Sequence, residues 1–339
     1  MPLIDEENSH LDTELMGDVA GVFSRNDGLI IDDDGNQWYL WRVDGLESWW
    51  RFFEEIIDAP MGRKLANAAC DEEENLLQNK ELVFTGLFRK KKTKAALEAR
   101  WKLHGWGLPN ISPPSFDSSG LTPLLAGILQ AGLERINSSR YRMLWEEKSR
   151  LTTVLTLETT SIPLTEANPV LPLHPKGDPL LIELETGWRI DGLGHFMLPI
   201  GLFKRLELSC SGLIADITDD ERNSWPDFGD GFLSLAIACK RLFIAGEELF
   251  LAADIDGWID SCKSFFGFRG LSSPISGKSL NSPGGIELKF NRVPCLAMTV
   301  GYLAGAWVRC EGRPVKVSVN RSDNFDVIRL ESRHEISAM

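Results

Sequence analysis

The sequence is poor in most of the residues from which chemistry is usually read. Five histidines (His10, His104, His174, His195, His334) are scattered, with no HxxxH or HExxH spacing, so no helical zinc site is written into it. Six cysteines include no CxxC and no paired spacing. That excludes a zinc ribbon or a disulfide framework and predicts buried free thiols in a reduced, cytoplasmic protein. There is no GxxxxGK[ST] loop, no strand–GxGxxG–helix and no GxSxG elbow, and no catalytic group is predicted. The adjacent carboxylates Glu54/Glu55 and Glu146/Glu147 point apart rather than sharing a proton. No uninterrupted apolar run spans a membrane: residues 232–253 come nearest, and Lys240, Arg241, Glu247 and Glu248 interrupt them. Cations are outnumbered 36 to 49, for a formal charge of −13. General binding to nucleic acid or to anionic membranes is thereby disfavoured, with room left for a local basic patch. The acidic, polar start MPLIDEENSHLDTEL does not read as a secretory signal.

Of what is present, 339 residues at 43% apolar suffice for two domains with a core each. Eleven tryptophans stand against three tyrosines. Trp49, Trp50, Trp101 and Trp106 are candidates either for core or for the wall of an apolar cavity. The organising feature is a stretch that occurs twice: PCLAMTVGYLAGAWVR at 294–309 and LLAGILQAGLER at 124–135. Aligning Gly127 with Gly301 carries Leu129 onto Leu303 and Arg135 onto Arg309 without a gap. Gly301/Gly305 and Gly127/Ala131 fall four apart, hence on one helical face, which lets a helix or a ligand approach the backbone. A second echo, residues 41–46 (WRVDGL) against 188–193 (WRIDGL), opens each half. A third sets 102–108 beside 262–271. The order of echoes is the same in both halves, as a tandem duplication requires.

Taken in order, residues 1–25 read as an acidic lead-in with a short helix around 10–16, and 26–160 as a first α/β repeat. A hairpin over 28–42 turns at 33–36. Asp44 caps a helix over 46–57, with Glu47 as its capping-box partner and an apolar face of Leu46, Trp49, Trp50, Phe53, Ile56 and Ile57. A second helix runs over 63–77 with residues 71–74 as a solvated acidic face. RKKKTK at 89–94 opens a third helix ending near His104. It reads as exposed surface or as a dock for an anionic partner. A Pro/Ser-rich hairpin, the glycine-faced helix, and strands at 141–146 and 152–159 follow. Five prolines in 161–179 mark a linker, bounded at 161–178. The second repeat, 179–335, begins with a strand at 180–189 and a helix from Leu193. Residues 207–255 align with nothing in the first, but include an apolar helix over 231–253. A segment at 256–266, a hairpin over 271–285, the late helix, and strands at 315–319 and 327–331 complete it.

The closing segment, with Cys295, Gly301, Leu303, Gly305, Gly312, Arg313 and Pro314, resembles the end of the 4-vinyl reductase domain. That superfamily is shared with TRAPP vesicle-tethering subunits and haem–nitric-oxide sensors. The cysteine pair that such reductase-type domains often place in their last strands is missing here. The resemblance implies an α+β fold: two tandem repeats, each a helical layer on a small antiparallel sheet, packed as an internal pseudo-dimer. It further implies a non-enzymatic binding or sensory protein for a hydrophobic, lipid-like or tetrapyrrole molecule. The alternatives are an interaction scaffold with a protein partner, or an accessory of tetrapyrrole metabolism. No cofactor is specified. Candidate ligand-binding residues are His104 and Trp106, where flanking glycines admit a flat ligand and imidazole can ligate haem iron, and Cys295, Gly301, Tyr302 and Gly305 on the late helix.

Overall fold

The computed structural model describes residues 11–334, an α+β chain whose described residues hold ten helices and three sheets. It divides into two compact units that do not follow linear order. Unit 1 takes the described residues up to Asn26, then Ile31–Asp44 and Gly62–Leu202; unit 2 takes Asp27–Ile30, Gly45–Met61 and everything described from Phe203 on.

In unit 1, Asp12 accepts a hydrogen bond from the Leu15 amide and so caps α1 (Thr13–Val22), within the acidic lead-in; His10 lies outside the described residues. Strands β1 (Ser24–Asn26), β2 (Leu29–Ile31) and β3 (Gln37–Arg42) follow. The turn before β3 is tied by Asp32, whose Oδ1 accepts from the amides of Asp34 and Asn36, while Gly35 takes the φ of +88° that the turn demands. Helix α3 (Gly62–Leu76) packs on α5 (Thr122–Asn137), with α4 (Arg89–His104) beside them. The hairpins β4 (Leu108–Ile111)/β5 (Pro114–Asp117) and β6 (Tyr141–Glu147)/β7 (Thr152–Thr159) form a sheet of order β4-β5-β7-β6.

Unit 2 also holds a helix pair and a four-stranded sheet. Helix α8 (Asp230–Ala245) packs on α10 (Leu296–Glu311), and α9 (Ile255–Cys262) runs into a π-helical turn, Lys263–Gly267. β11 (Pro274–Ser279), β12 (Ile286–Asn291), β13 (Val315–Arg321) and β14 (Phe325–Ser332) form a sheet of order β11-β12-β14-β13. The strand order therefore matches that of unit 1.

The glycine faces explain themselves sterically. A Cβ placed on Gly127 would stand 2.1 Å from the carbonyl oxygen of Ala66, and one on Gly301 2.2 Å from that of Ala236. Three residues on, Ala69 and Cys239 meet the same two glycines. No side chain fits there, and the backbones touch instead.

Several expectations need correction. The run 71–74 is not a solvated face: Glu72, Glu73 and Glu74 are buried, and arginines far off in sequence reach two of them, Arg100 pairing with Glu73 and Arg140 with Glu74. The segment 180–189 is not a strand and no helix starts at Leu193. Leu180, Ile182 and Leu184 are buried in alternation, but the backbone bonds only singly, to Phe23 and Asp12. The strands are β8 (Asp178–Pro179), β9 (Arg189–Ile190) and β10 (Leu193–Pro199), and the helix is α6 (Ile200–Ser209). β10 pairs antiparallel with β3, in a sheet of order β8-β1-β2-β3-β10-β9.

The WRVDGL and WRIDGL echoes accordingly do different work. In the first, α2 (Val43–Ile57) already begins at Val43, so Asp44 lies inside its first turn and pairs with Arg42 Nε at 2.6 Å instead of capping from outside. In the second, Asp191 (φ +50°) and Gly192 (φ +73°) make the turn between β9 and β10. Consecutive positive φ values are the signature of a tight hairpin turn, and Arg189 braces it by donating to the Gly192 carbonyl.

Candidate functional site

His104 is the last residue of α4. The helix stops because Gly105 adopts a left-handed φ of +75°, which only glycine takes without cost. Gly105 is also crowded: the Trp188 ring and the His195 carbonyl would meet any Cβ there. The Trp188 indole donates to the Lys102 carbonyl at 2.7 Å, satisfying a C-terminal acceptor of α4. Buried Thr93, Leu97, Trp101 and His104 share one face by their spacing.

The imidazole lies among aromatic rings. Trp106 stacks on it at 4.4 Å and 21°, Trp38 lies at 4.5 Å, and Phe23 meets it edge-on at 5.7 Å. Both indoles are fixed: Trp106 donates to the Met197 carbonyl at 2.8 Å, and Trp38 to Asp32 Oδ2 at 3.0 Å. His104 Nδ1 lies 2.7 Å from the Arg100 carbonyl. A carbonyl only accepts, so Nδ1 carries the proton and Nε2 keeps a lone pair. Burial pushes the His104 pKa well below its ordinary range, and the nearby charges of Arg100 and Lys80 push the same way. The ring is neutral at physiological pH.

Beside it opens a cleft of about 460 Å³, the size of a small-molecule site. Its apolar lining comes from Val22 of α1, Leu82, and Ala96, Ala99 and Leu103 of α4. Its polar lining includes Asp18, Asp32, Lys80 and Arg100, with His104 at the end of α4. The two cations are already neutralised: Lys80 pairs with Asp34 at 2.5 Å, and Arg100 grips buried Glu73 through two bonds of 2.5 and 2.6 Å. Burial raises the Glu73 pKa and Arg100 opposes that. A further buried network holds the α3/α5 pair. Glu134 accepts from Arg140 at 2.9 Å, from Gln130 at 2.8 Å and from the Tyr141 amide at 2.8 Å. Lys80 and Arg100 are thus engaged, whereas Asp18 and Glu81, which also line the cleft, have no ion pair among the described residues. The cleft therefore disfavours an anion and suits a ligand with an apolar body and one donor for the imidazole lone pair.

The other sequence candidates lie in unit 2 on α10. Gly301 and Gly305 face α8: a Cβ on Gly305 would stand 2.7 Å from that of Phe243. The face expected to admit a ligand is filled by a helix. Cys295 precedes α10 and is buried; burial first, and the Glu207 charge second, push its thiol up to about 12. It is therefore a poor nucleophile at neutral pH. Tyr302 is buried in an aromatic cluster with Phe243, Phe265 and Phe266. A recess of about 450 Å³ exists in unit 2, but it is lined by Phe265, Phe268, Arg269 and Glu248, not by the named residues of α10. His104 and Trp106 are thus brought together at a cleft, and the α10 residues are brought together in a packed core.

Sequence reading missed Trp38, Phe23 and Asp32 at this site. Nothing local to them signals a partner far along the chain. Arg100 was accessible, since it stands one helical turn before His104. Comparison with family models, with curated proteins and with solved structures finds no match.

Proposed function

We propose that this protein binds an uncharged, largely apolar small molecule in the cleft beside His104 and is not an enzyme. The single observation that carries this reading is a buried, neutral imidazole whose Nδ1 is committed to the Arg100 carbonyl and which lines a cleft with apolar walls from Val22, Leu82, Ala96, Ala99 and Leu103. Such a group orients a ligand through one hydrogen bond, while the apolar walls supply most of the affinity. No nucleophile–base pair accompanies it at the cleft. Kinship with the 4-vinyl reductase and TRAPP-type domains is supported by the shared order of hairpin, glycine-faced helix and hairpin, by Cys295 directly before α10, and by Gly312 ending it in the left-handed conformation. Tandem duplication is supported by the matching carbonyl contacts of Gly127 and Gly301 and by the like strand orders of the two four-stranded sheets, but not by residues 41–46 and 188–193, which occupy different elements. All six cysteines are free, which supports a reducing compartment such as the cytoplasm. Among the described residues no helix is long and apolar enough to cross a membrane.

Native mass and absorption spectra of chain purified without denaturant test the reading. The expected result is an adduct of about the size that such a cleft encloses, a few hundred daltons, and a Soret band would make it a tetrapyrrole. A clean apo mass that stays clean after incubation with a cell lipid and metabolite extract would contradict it and favour the scaffold reading.

A further inference from the structure

We infer that the tip over residues 83–94 of unit 1 is a peripheral docking element for an anionic lipid surface. Val83, Leu87 and Phe88 are 50%, 91% and 63% exposed. Directly after them come Arg89, Lys90, Lys91 and Lys92, then Lys94, all exposed. Among the described residues only Lys94 of these five has an ion-pair partner, Glu98 at 3.6 Å. The first buried residue of α4 is Thr93, so the turn bearing Arg89–Lys92 stands clear of the packed face.

Folding does not account for this arrangement. The first turn of α4 contains no acidic residue and Phe88 at its N-cap makes no side-chain bond, while cations at a helix N-terminus oppose the dipole. Large apolar side chains at a turn cost solubility and bury nothing. A bilayer satisfies both features together. Leu87 and Phe88 enter the headgroup–acyl boundary, and the lysine stems reach back so that their ammonium groups lie among anionic headgroups. Gly86, at φ +89° with open space around it, sets the bend that lifts the tip. The net charge of −13 does not prevent this. Distant charges are screened over about 8 Å at physiological salt, so a surface reached tip-first meets the local patch. An acidic protein would match the cations, but covering Leu87 and Phe88 would also require a shaped pocket, which a fluid surface does not.

Cosedimentation of the full chain with vesicles tests the inference, comparing phosphatidylcholine alone with about 30 mol% phosphatidylserine, a composition giving a strongly negative surface. The chain is expected to sediment with the anionic vesicles only, less so as salt rises. The combined substitutions Lys90→Gln, Lys91→Gln and Lys92→Gln should weaken binding by about tenfold or more. Leu87→Ser with Phe88→Ser should weaken it while keeping the salt dependence. These side chains are exposed, so each variant should keep the parent's thermal midpoint as a control. The inference is overturned if the parent fails to sediment at physiological salt, if the lysine variant binds undiminished, or if an immobilised acidic peptide retains the chain while vesicles do not.

Discussion

Seven residues beyond the alanine that meets the glycine, α3 carries Glu73 and α8 carries Phe243. Both side chains are buried. Glu73 is held by Arg100 in two charge-assisted bonds. Phe243 instead meets Phe250, Phe265 and Tyr302 edge-on at 5.8, 5.2 and 6.4 Å. The next helix diverges likewise: Glu134 of α5, held by Arg140, Gln130 and the Tyr141 amide, stands where α10 has Val308 in the gapless alignment. One backbone contact thus supports two fillings. The aromatic filling tolerates isolated changes of shape. The charged one fixes direction, because each buried carboxylate must keep its partner, and it is the charged pair whose Arg100 lines the cleft beside His104.

The largest expected effect breaks the charged pair. Arg100→Ala leaves Glu73 buried without its partner and should cost about 3–5 kcal/mol in urea unfolding. Phe243→Leu keeps an apolar group in place and should cost about 1.5 kcal/mol or less. Comparable losses in the two variants would erase the distinction drawn between the helix pairs.

Next come the glycines, which test what the pairs share. Gly127→Ala and Gly301→Ala each drive a methyl into a backbone carbonyl, and each should cost about 3 kcal/mol. Loss of stability in one and indifference in the other would show that the two contacts are not equivalent. Gly201→Ala is a related case: its Cβ would stand 2.1 Å from Glu72 Oε1, but a side chain yields more readily than backbone. A cost of about 1 kcal/mol is expected there.

The smallest effect is on pH dependence. His104 has a lowered pKa in the fold, so below an unfolded-state value of about 6.5 the unfolded chain binds a proton that the native chain refuses. Stability contributed by the neutral ring is therefore complete above that pH and declines as pH falls below it, by up to about 1.4 kcal/mol per pH unit. His104→Phe should flatten the profile between about pH 6.5 and 5 relative to the parent. An identical slope in the variant would mean that His104 takes up its proton in the folded state as it does in the unfolded one. Glu221 of unit 2 acts in a different window. Burial opposes its ionisation, yet Lys240, Arg333 and Trp225 hold it down to about 2. Its contribution is present above the usual carboxylate value and is lost as pH falls toward 2.

Much of the fold is legible in the residues. The face of α2 could be read because Leu46, Trp49, Phe53 and Ile56 repeat with the helical period. The hairpins could be read from their turn residues, and the α5/α10 match from two small residues four apart. The misreadings have a common cause. Glu72–Glu74 read as surface because charge is ordinarily solvated, and the arginines that pair with Glu73 and Glu74 are not sequence neighbours. The segment 180–184 read as a strand because alternate burial has period two, whether or not the backbone joins a ladder. WRVDGL and WRIDGL are nearly the same string, but one begins a helix and the other turns a hairpin; tertiary context decides between them. At the site, His104 and Trp106 could be picked out from their glycines. The cleft could not, since it needs α1, the Asp32 turn and α4 together.

The most direct measurement is the native mass of an Ala99→Trp variant beside the parent chain. Ala99 is exposed on α4 and lines the cleft, so an indole there fills the space without disturbing a packed residue. The adduct carried by the parent should disappear in the variant at an unchanged thermal midpoint. An adduct retained at full occupancy would place the ligand elsewhere and contradict the role assigned to His104.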